Sequence, residues 1–168
     1  MPDELSTKEL APGEPAFLAR PATPADVPAI ISIERAALSA AHWQENSYRE
    51  VFAPESPARI AILLEDERHS PCGFVIARLT SGECELENIA LLPSLQRKGA
   101  GTQLIQSLIS AARERGAHSI YLEVRESNRV ARAFYERCGF AKIGRRPQYY
   151  SDPQDDAVLY SLHLQRFL

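Results

Sequence analysis

Cysteine, histidine and net positive charge are all scarce in this chain, and each shortage removes a class of function. The three cysteines, Cys72, Cys84 and Cys138, are odd in number and share no paired spacing, so they describe neither a disulfide scaffold nor a CxxC motif. Free thiols in a reducing compartment fit them best. The four histidines, at 42, 69, 118 and 163, are too scattered for a sequence-level metal site, and no metal is expected. A formal net charge of −3 argues against a dedicated nucleic-acid binder, which carries a strongly basic domain. No stretch approaches the roughly 18 apolar residues of a membrane span. The first residues, with Asp3, Glu4 and Glu9 and no apolar core, resemble neither a secretory signal nor a transit peptide. A cytoplasmic protein without membrane or nucleic-acid partners is the expectation.

What is present suits one globular domain. The chain has 168 residues, 45% of them hydrophobic and 24% charged, which is enough for one real core. Residues 1–15 are polar, proline-containing and unpatterned, a disordered leader, and 16–168 form the domain. A short strand at 17–20 precedes Thr23, Pro24 and Asp26, which supply a cap, a first-position proline and a first-turn acid for a helix over 24–38. A weaker helix is expected over 45–52. Apolar runs at 58–65 and 73–79 form a hairpin, and Ser81-Gly82-Glu83 turns the chain into a third antiparallel strand.

The chain is organised around 86–116. Residues 86–92 form an apolar strand stopped by Pro93, which has no backbone donor. Leu104, Ile105, Leu108, Ile109 and Ala112 then line one face of a helix that ends near Gly116. Between them, Arg97-Lys98-Gly99-Ala100-Gly101-Thr102 brings two cations and two glycines to a helix N-terminus. Unpaired N–H groups and the helix dipole suit a phosphate there; a tight turn with solvated cations is the other reading. Residues 119–125 are rich in β-formers, and a right-handed crossover sets them parallel to the strand ending at Leu92. A helix over 127–138, a strand from 140 to 144, an aromatic loop at 146–153 and a closing strand over 157–164 complete the chain. The fold class is α/β with a mixed sheet: mostly antiparallel, one parallel pair, helices on both faces.

The stretch Gln96-Arg97-Lys98-Gly99-Ala100-Gly101-Thr102 resembles the Gln/Arg-x-x-Gly-x-Gly/Ala signature of the GNAT N-acetyltransferases. A second block, Leu122-Glu123-Val124-Arg125-Glu126-Ser127-Asn128 through Phe134-Tyr135-Glu136-Arg137-Cys138-Gly139-Phe140, is similar to that family's Leu-Glu-Val-Arg-x-x-Asn and Tyr-x-x-x-Gly-Phe pattern. Within the family the wording is closest to the bacterial ribosomal-protein-alanine N-acetyltransferases. The resemblance implies acetyl-CoA as cosubstrate and a protein N-terminus as acceptor. It places the cofactor's pantetheine arm along Ile89, Ala90 and Leu91, and its pyrophosphate on Arg97, Lys98, Gly99, Ala100, Gly101 and Thr102. It makes Asn128 a cofactor contact, Glu123 the general base and Tyr135 the acid for the departing thiolate.

Taken alone, these residues allow other readings. Glu123 fits the ion-pair partner of an arginine such as Arg125, or a residue on a wet sheet face, as well as a base in a strand buried on both faces. Tyr135 fits a core tyrosine, and Asn128 a helix cap. Trp43, the only tryptophan, either packs or walls the acceptor site; His42 before it stands where related enzymes often carry proline. Glu87, Asn88, Tyr149 and Tyr150 are further acceptor-side candidates, with solvated edge residues as the alternative. A small amine, a lysine side chain or other protein N-termini remain alternative acceptors, and a non-catalytic CoA-binding module an alternative function.

Overall fold

The computed structural model describes residues 16–37 and 41–165; the expected leader lies outside them. Seven strands form one sheet in the order β1-β2-β3-β4-β5-β7-β6. They are β1 (Leu18–Pro21), β2 (Arg59–Glu65), β3 (Pro71–Thr80), β4 (Glu83–Leu91), β5 (Ser119–Arg125), β6 (Ala141–Tyr150) and β7 (Asp155–His163). The helices are α1 (Val27–Ala36), α2 (Glu45–Glu50), α3 (Ala100–Glu114) and α4 (Arg129–Arg137). Every neighbouring strand pair is antiparallel except β4 and β5, which the strand-helix-strand crossover through α3 sets parallel, as expected.

Alternation along the strands makes two cores. Ile60, Ile62, Val75, Ala77, Ile120, Leu122, Val124 and Tyr160 meet Leu104, Ile105 and Leu108 of α3 and Tyr135 of α4 on one face. On the other, Leu63, Phe74, Ile76 and Ala90 meet Val27, Ile30 and Ile33 of α1 and Tyr48 of α2. Burying one such side chain contributes about 1.5–3 kcal/mol, so the helices are held chiefly by these stripes.

Several expected boundaries shift. The first helix opens as a 3-10 turn at Pro24–Asp26 before α1, because the Asp26 carboxylate turns back to accept the Thr23 N–H at 2.7 Å. The second stops at Glu50. The expected aromatic loop at 146–153 is a larger correction, since β6 runs to Tyr150. Its pairing with β7 breaks between Arg146 and Tyr150, so Pro147, which has no N–H for a ladder, and Gln148, at φ 53°, are carried in a bulge.

Arg20 clamps the sheet edge to the start of α1, donating to Asp26 at 2.8 and 2.9 Å and to Glu65 at 2.8 Å. The Arg20 guanidinium holds the buried Asp26 carboxyl at about 2, below its ordinary 3.8. Such a depressed folded-state value contributes stability that is fully present above the unfolded value and lost as pH falls through the folded one. Discounted for the exposure of Arg20, the contribution is about 1–2 kcal/mol. Thermal denaturation should therefore show Asp26→Asn less stable than wild type at pH 6 and the gap closing as pH falls from 4 to 2. A constant gap over that range contradicts the assignment.

Candidate active site

The site forms where β4 and β5 part. Their parallel pairing covers only Glu83↔Ser119, Cys84↔Ile120 and Glu85↔Tyr121. Just beyond, the β3–β4 register slips between Ile76↔Asn88 and Ala77↔Leu86, leaving Glu87 as the extra residue of a β-bulge that bends β4 away. Glu87 faces Arg59, which donates to it at 2.7 and 3.4 Å and to the Ser56 hydroxyl at 2.5 Å, so its carboxylate anchors the bulge.

The main chain past the bulge is aimed into the gap. Leu92 N–H donates to Cys72 O at 2.9 Å, which makes that pair the hydrogen-bonded one. By alternation, Leu91 opposite Gly73 and Ile89 opposite Val75 turn their N–H and C=O groups away from β3, toward β5. An extended amide-bearing ligand can pair with this open edge as an added strand does.

On the α3 side, a glycine turn meets the end of β4. Arg97 and Gly99 both take positive φ, 64° and 82°. Gly99 is the N-cap of α3, and no side chain caps the helix, so its first N–H groups remain available to an anion. A Cβ on Gly99 would stand in open space, whereas one on Gly101 would lie 3.2 Å from the Phe134 ring and 3.4 Å from Leu91 Cδ1. The missing side chain at Gly101 thus lets the first turn of α3 sit against both β4 and α4. Gly101→Val should weaken acetyl-CoA binding about tenfold or more by displacing that turn; isothermal titration checks it, and an unchanged Kd would detach the turn from the cofactor.

Tyr135, on α4, is buried between Phe134 and Phe140, with ring centroids 5.3 and 5.8 Å away. Burial first, then Cys138 and Tyr150, push its phenol well above the ordinary range. Its hydroxyl makes no hydrogen bond to any described residue. Asn128 caps α4, its side chain accepting from Ala131 N–H at 3.1 Å. That is the capping role the sequence left open.

Glu123 lies on the other face of the gap. Ile120, Leu122 and Val124 point into the α3 core, so alternation sends Tyr121, Glu123 and Arg125 to the opposite face. The strand is therefore not buried on both faces, and the Glu123 side chain is 26% exposed. Its partner is Arg146, 3.2 Å away; Arg125 instead donates to Pro153 O and Ser151 O and lies over the Tyr150 ring. Hydrogen bonding to Glu123 raises the Tyr149 phenol, and burial followed by the Glu123 charge raises that of Tyr150. The end of β6 thus delivers Arg146, Tyr149 and Tyr150 to Glu123. A cleft of about 370 Å³, lined by Glu85, Tyr121, Glu123, Ile143, Arg146 and Leu159 among others, opens beside them.

Asn88 and Ala90 share that face, Ala90 packing in the α1–α2 core. Asn88 is buried and donates to the Tyr48 hydroxyl at 2.9 Å; Trp43 stacks on Tyr48 with centroids 5.3 Å apart.

Two surfaces on opposite sides of one splayed strand pair, an anion-ready helix end and a carboxylate in an open cleft, suit group transfer from a phosphate-bearing carrier. The acetyltransferase (GNAT) family model matches residues 27–140. The chain belongs to the GNAT acetyltransferase family.

This GNAT chain is an N-acetyltransferase, and its family uses acetyl-CoA. It is 34% identical over 139 residues to the [ribosomal protein bS18]-alanine N-acetyltransferase of Escherichia coli K12, covering 82% of this chain and 90% of that protein. The crystal structure of the Escherichia coli ribosomal-protein-S18-alanine N-acetyltransferase superposes with a TM-score of 0.80 at 29% identity, over 91% of this chain and 97% of that one. Ard1 from Thermoplasma volcanium superposes at 0.75 with 26% identity, over 90% and 99%. No helix of the described residues is long and apolar enough to cross a membrane. The partner of Glu123, Arg146, was missed from sequence; its signal was the basic pair Arg145-Arg146, whose acids prove to be internal, Glu123 for Arg146 and Glu126 and Asp156 for Arg145.

Proposed function

We propose that residues 16–168 act as one domain that transfers the acetyl group of acetyl-CoA to the N-terminal α-amine of a protein, an N-terminal alanine of a small-subunit ribosomal protein. The observation that carries the chemistry is the splay itself, which gives β4 an open hydrogen-bonding edge between the α3 N-terminus and Glu123. The acceptor rests on the likeness to relatives named for that substrate.

Acetyl-CoA supplies an activated thioester. The edge groups of Ile89 and Leu91, held in line by Ala90 paired to β3, hold its arm, and the amides of Gly99, Ala100, Gly101 and Thr102, with Arg97 and Lys98 alongside, hold its pyrophosphate. The Leu91 N–H faces the gap, where it stabilises charge developing on the carbonyl oxygen, an interaction typically about 3–4 kcal/mol in rate. Glu123 takes a proton from the acceptor ammonium, directly or through water, and Tyr135 protonates the departing thiolate. Asn128 orients the start of α4 beside the cofactor. Trp43, Glu87, Asn88, Tyr149 and Tyr150 frame the acceptor, with Glu87 acting through the bulge that it anchors. No metal enters the reaction.

The test is CoA thiol release with three acceptors: a peptide beginning with the ribosomal protein's alanine, the same peptide with a blocked N-terminus, and a polyamine. Release with the free peptide alone supports the reading. Release with the polyamine alone keeps the fold and cofactor and moves the acceptor to small amines.

A further inference from the structure

Beneath the α1–α2 connection lies a buried polar cluster in which Asn88 meets two residues without a role so far, Glu34 and Tyr48. Glu34, at the last turn of α1, is 4% exposed, and Asn88 is 3% exposed. Glu34 Oε1 and Asn88 Oδ1 are buried oxygens without a hydrogen-bond partner among the described residues. Between them stands Tyr48, 1% exposed, whose phenol rises to about 12 through burial and then the nearby Glu34 charge. Buried acceptors left without donors each cost about 1–3 kcal/mol, and two in one place describe a hole in the hydrogen-bonding scheme. Only donors fill it.

The cluster also sits where an acceptor would arrive. Asn88 follows the bulge residue directly, on the face shared with Glu123. The two residues flank the point beyond Glu85↔Tyr121 where β4 and β5 part, Asn88 on β4 and Glu123 on β5. The only charged partner of Glu34 among the described residues is His42, whose Nδ1 stands 3.3 Å from that same Oε1 without forming a hydrogen bond and whose side chain is 64% exposed. A solvent-facing imidazole therefore covers a buried carboxyl group. We infer that Glu34 and Asn88, with Tyr48 between them, form a docking subsite for a primary ammonium, the cationic amine of the acceptor, which displaces His42 and supplies the missing donors. This deepens the acceptor reading above and rests on it. An ammonium carries three donors and no acceptor, the inverse of what the cluster offers, whereas an anion or an apolar side chain would leave both oxygens unpaired.

The experiment uses the full chain, acetyl-CoA and the alanine-starting peptide, with three proteins: wild type, Glu34→Gln and His42→Ala. Glu34→Gln should raise the peptide KM about tenfold or more, the scale of one charge-assisted hydrogen bond, while the Kd for acetyl-CoA stays at the wild-type value. His42→Ala removes the competitor, so its KM should lie at or below wild type. A strut between α1 and the connection predicts the reverse for His42→Ala. A KM above wild type in that variant, or an unchanged KM in Glu34→Gln, overturns the subsite. If wild type does not acetylate the peptide, the acceptor reading fails first. Titration of wild type with the amide form of alanine, followed by the Asn88 side-chain amide resonances, then decides the subsite alone: a shift absent with N-acetylalanine amide supports it, and no shift overturns it.

Discussion

Glu123→Gln is expected to lower kcat for acetyl transfer about 100- to 1000-fold, the usual contribution of a general base, with acetyl-CoA affinity retained. The acceptor amine is an ammonium near neutral pH and cannot attack until it loses a proton. Glu123 is a carboxylate lining the cleft beside the gap, and glutamine keeps its shape while removing its basicity. The ion pair with Arg146, at 3.2 Å, gives a second reading in which Glu123 merely fastens β6. These separate in one series, because a fastening role predicts that Arg146→Gln and Glu123→Gln cost the same. Catalysis by Glu123 predicts a much smaller loss for Arg146→Gln and partial recovery of Glu123→Gln at high pH, where solvent deprotonates the amine. Unchanged turnover of Glu123→Gln near pH 7 sinks the assignment.

Tyr135→Phe carries the second large effect, a kcat about 100-fold lower with stability unchanged or improved. The direction of the stability change is informative. Tyr135 is a buried residue whose hydroxyl makes no hydrogen bond to any described residue, so removing that hydroxyl breaks no bond that holds the fold. A structural tyrosine would lose stability and keep its rate. Burial pushes the phenol upward, so it stays protonated across the working pH range and is available as a donor. Stopped-flow measurement of thiol appearance under single turnover, beside a thermal melt, reads both quantities. A stable variant with wild-type thiol release makes Tyr135 a core residue and nothing more.

Much of this architecture was written in local patterns. Pro93 and the apolar stripe of α3 marked the strand-turn-helix unit, and alternation in 119–125 gave β5 within its observed bounds. The parallel β4–β5 pair followed from the handedness of the crossover. The bulge at Glu87 was not legible, because a one-residue slip leaves no mark in a strand whose two faces are both partly apolar. Its consequence reaches far, since it opens the gap and converts Glu87 from a candidate contact into the partner of Arg59.

Which of its two expected settings Glu123 takes, a strand buried on both faces or a wet sheet face, is not legible for a related reason. Leu122 and Val124 suggested burial on both faces, but alternation alone cannot say whether a helix covers the second face, and here the α1–α2 layer packs against Leu63, Phe74, Ile76 and Ala90 while β5 borders an open cleft. The start of β6 is legible, but its continuation to Tyr150 is not: nearly all its residues are exposed, so no hydrophobic alternation carries the strand on to Arg146, Tyr149 and Tyr150. The Glu34, Tyr48 and Asn88 cluster joins three elements 40 residues apart in the chain at the Tyr48–Asn88 contact, a closeness that only the packed fold creates.

Tandem mass spectrometry of the reaction product shows which amine receives the acetyl group. The substrate is a peptide with a free N-terminal alanine and an internal lysine, incubated with this protein and acetyl-CoA. One added acetyl group is expected, carried by the fragment containing the N-terminal alanine alone. Acetyl on the lysine, or none on a peptide incubated with protein shown to bind acetyl-CoA, contradicts the proposed N-terminal acetyl transfer.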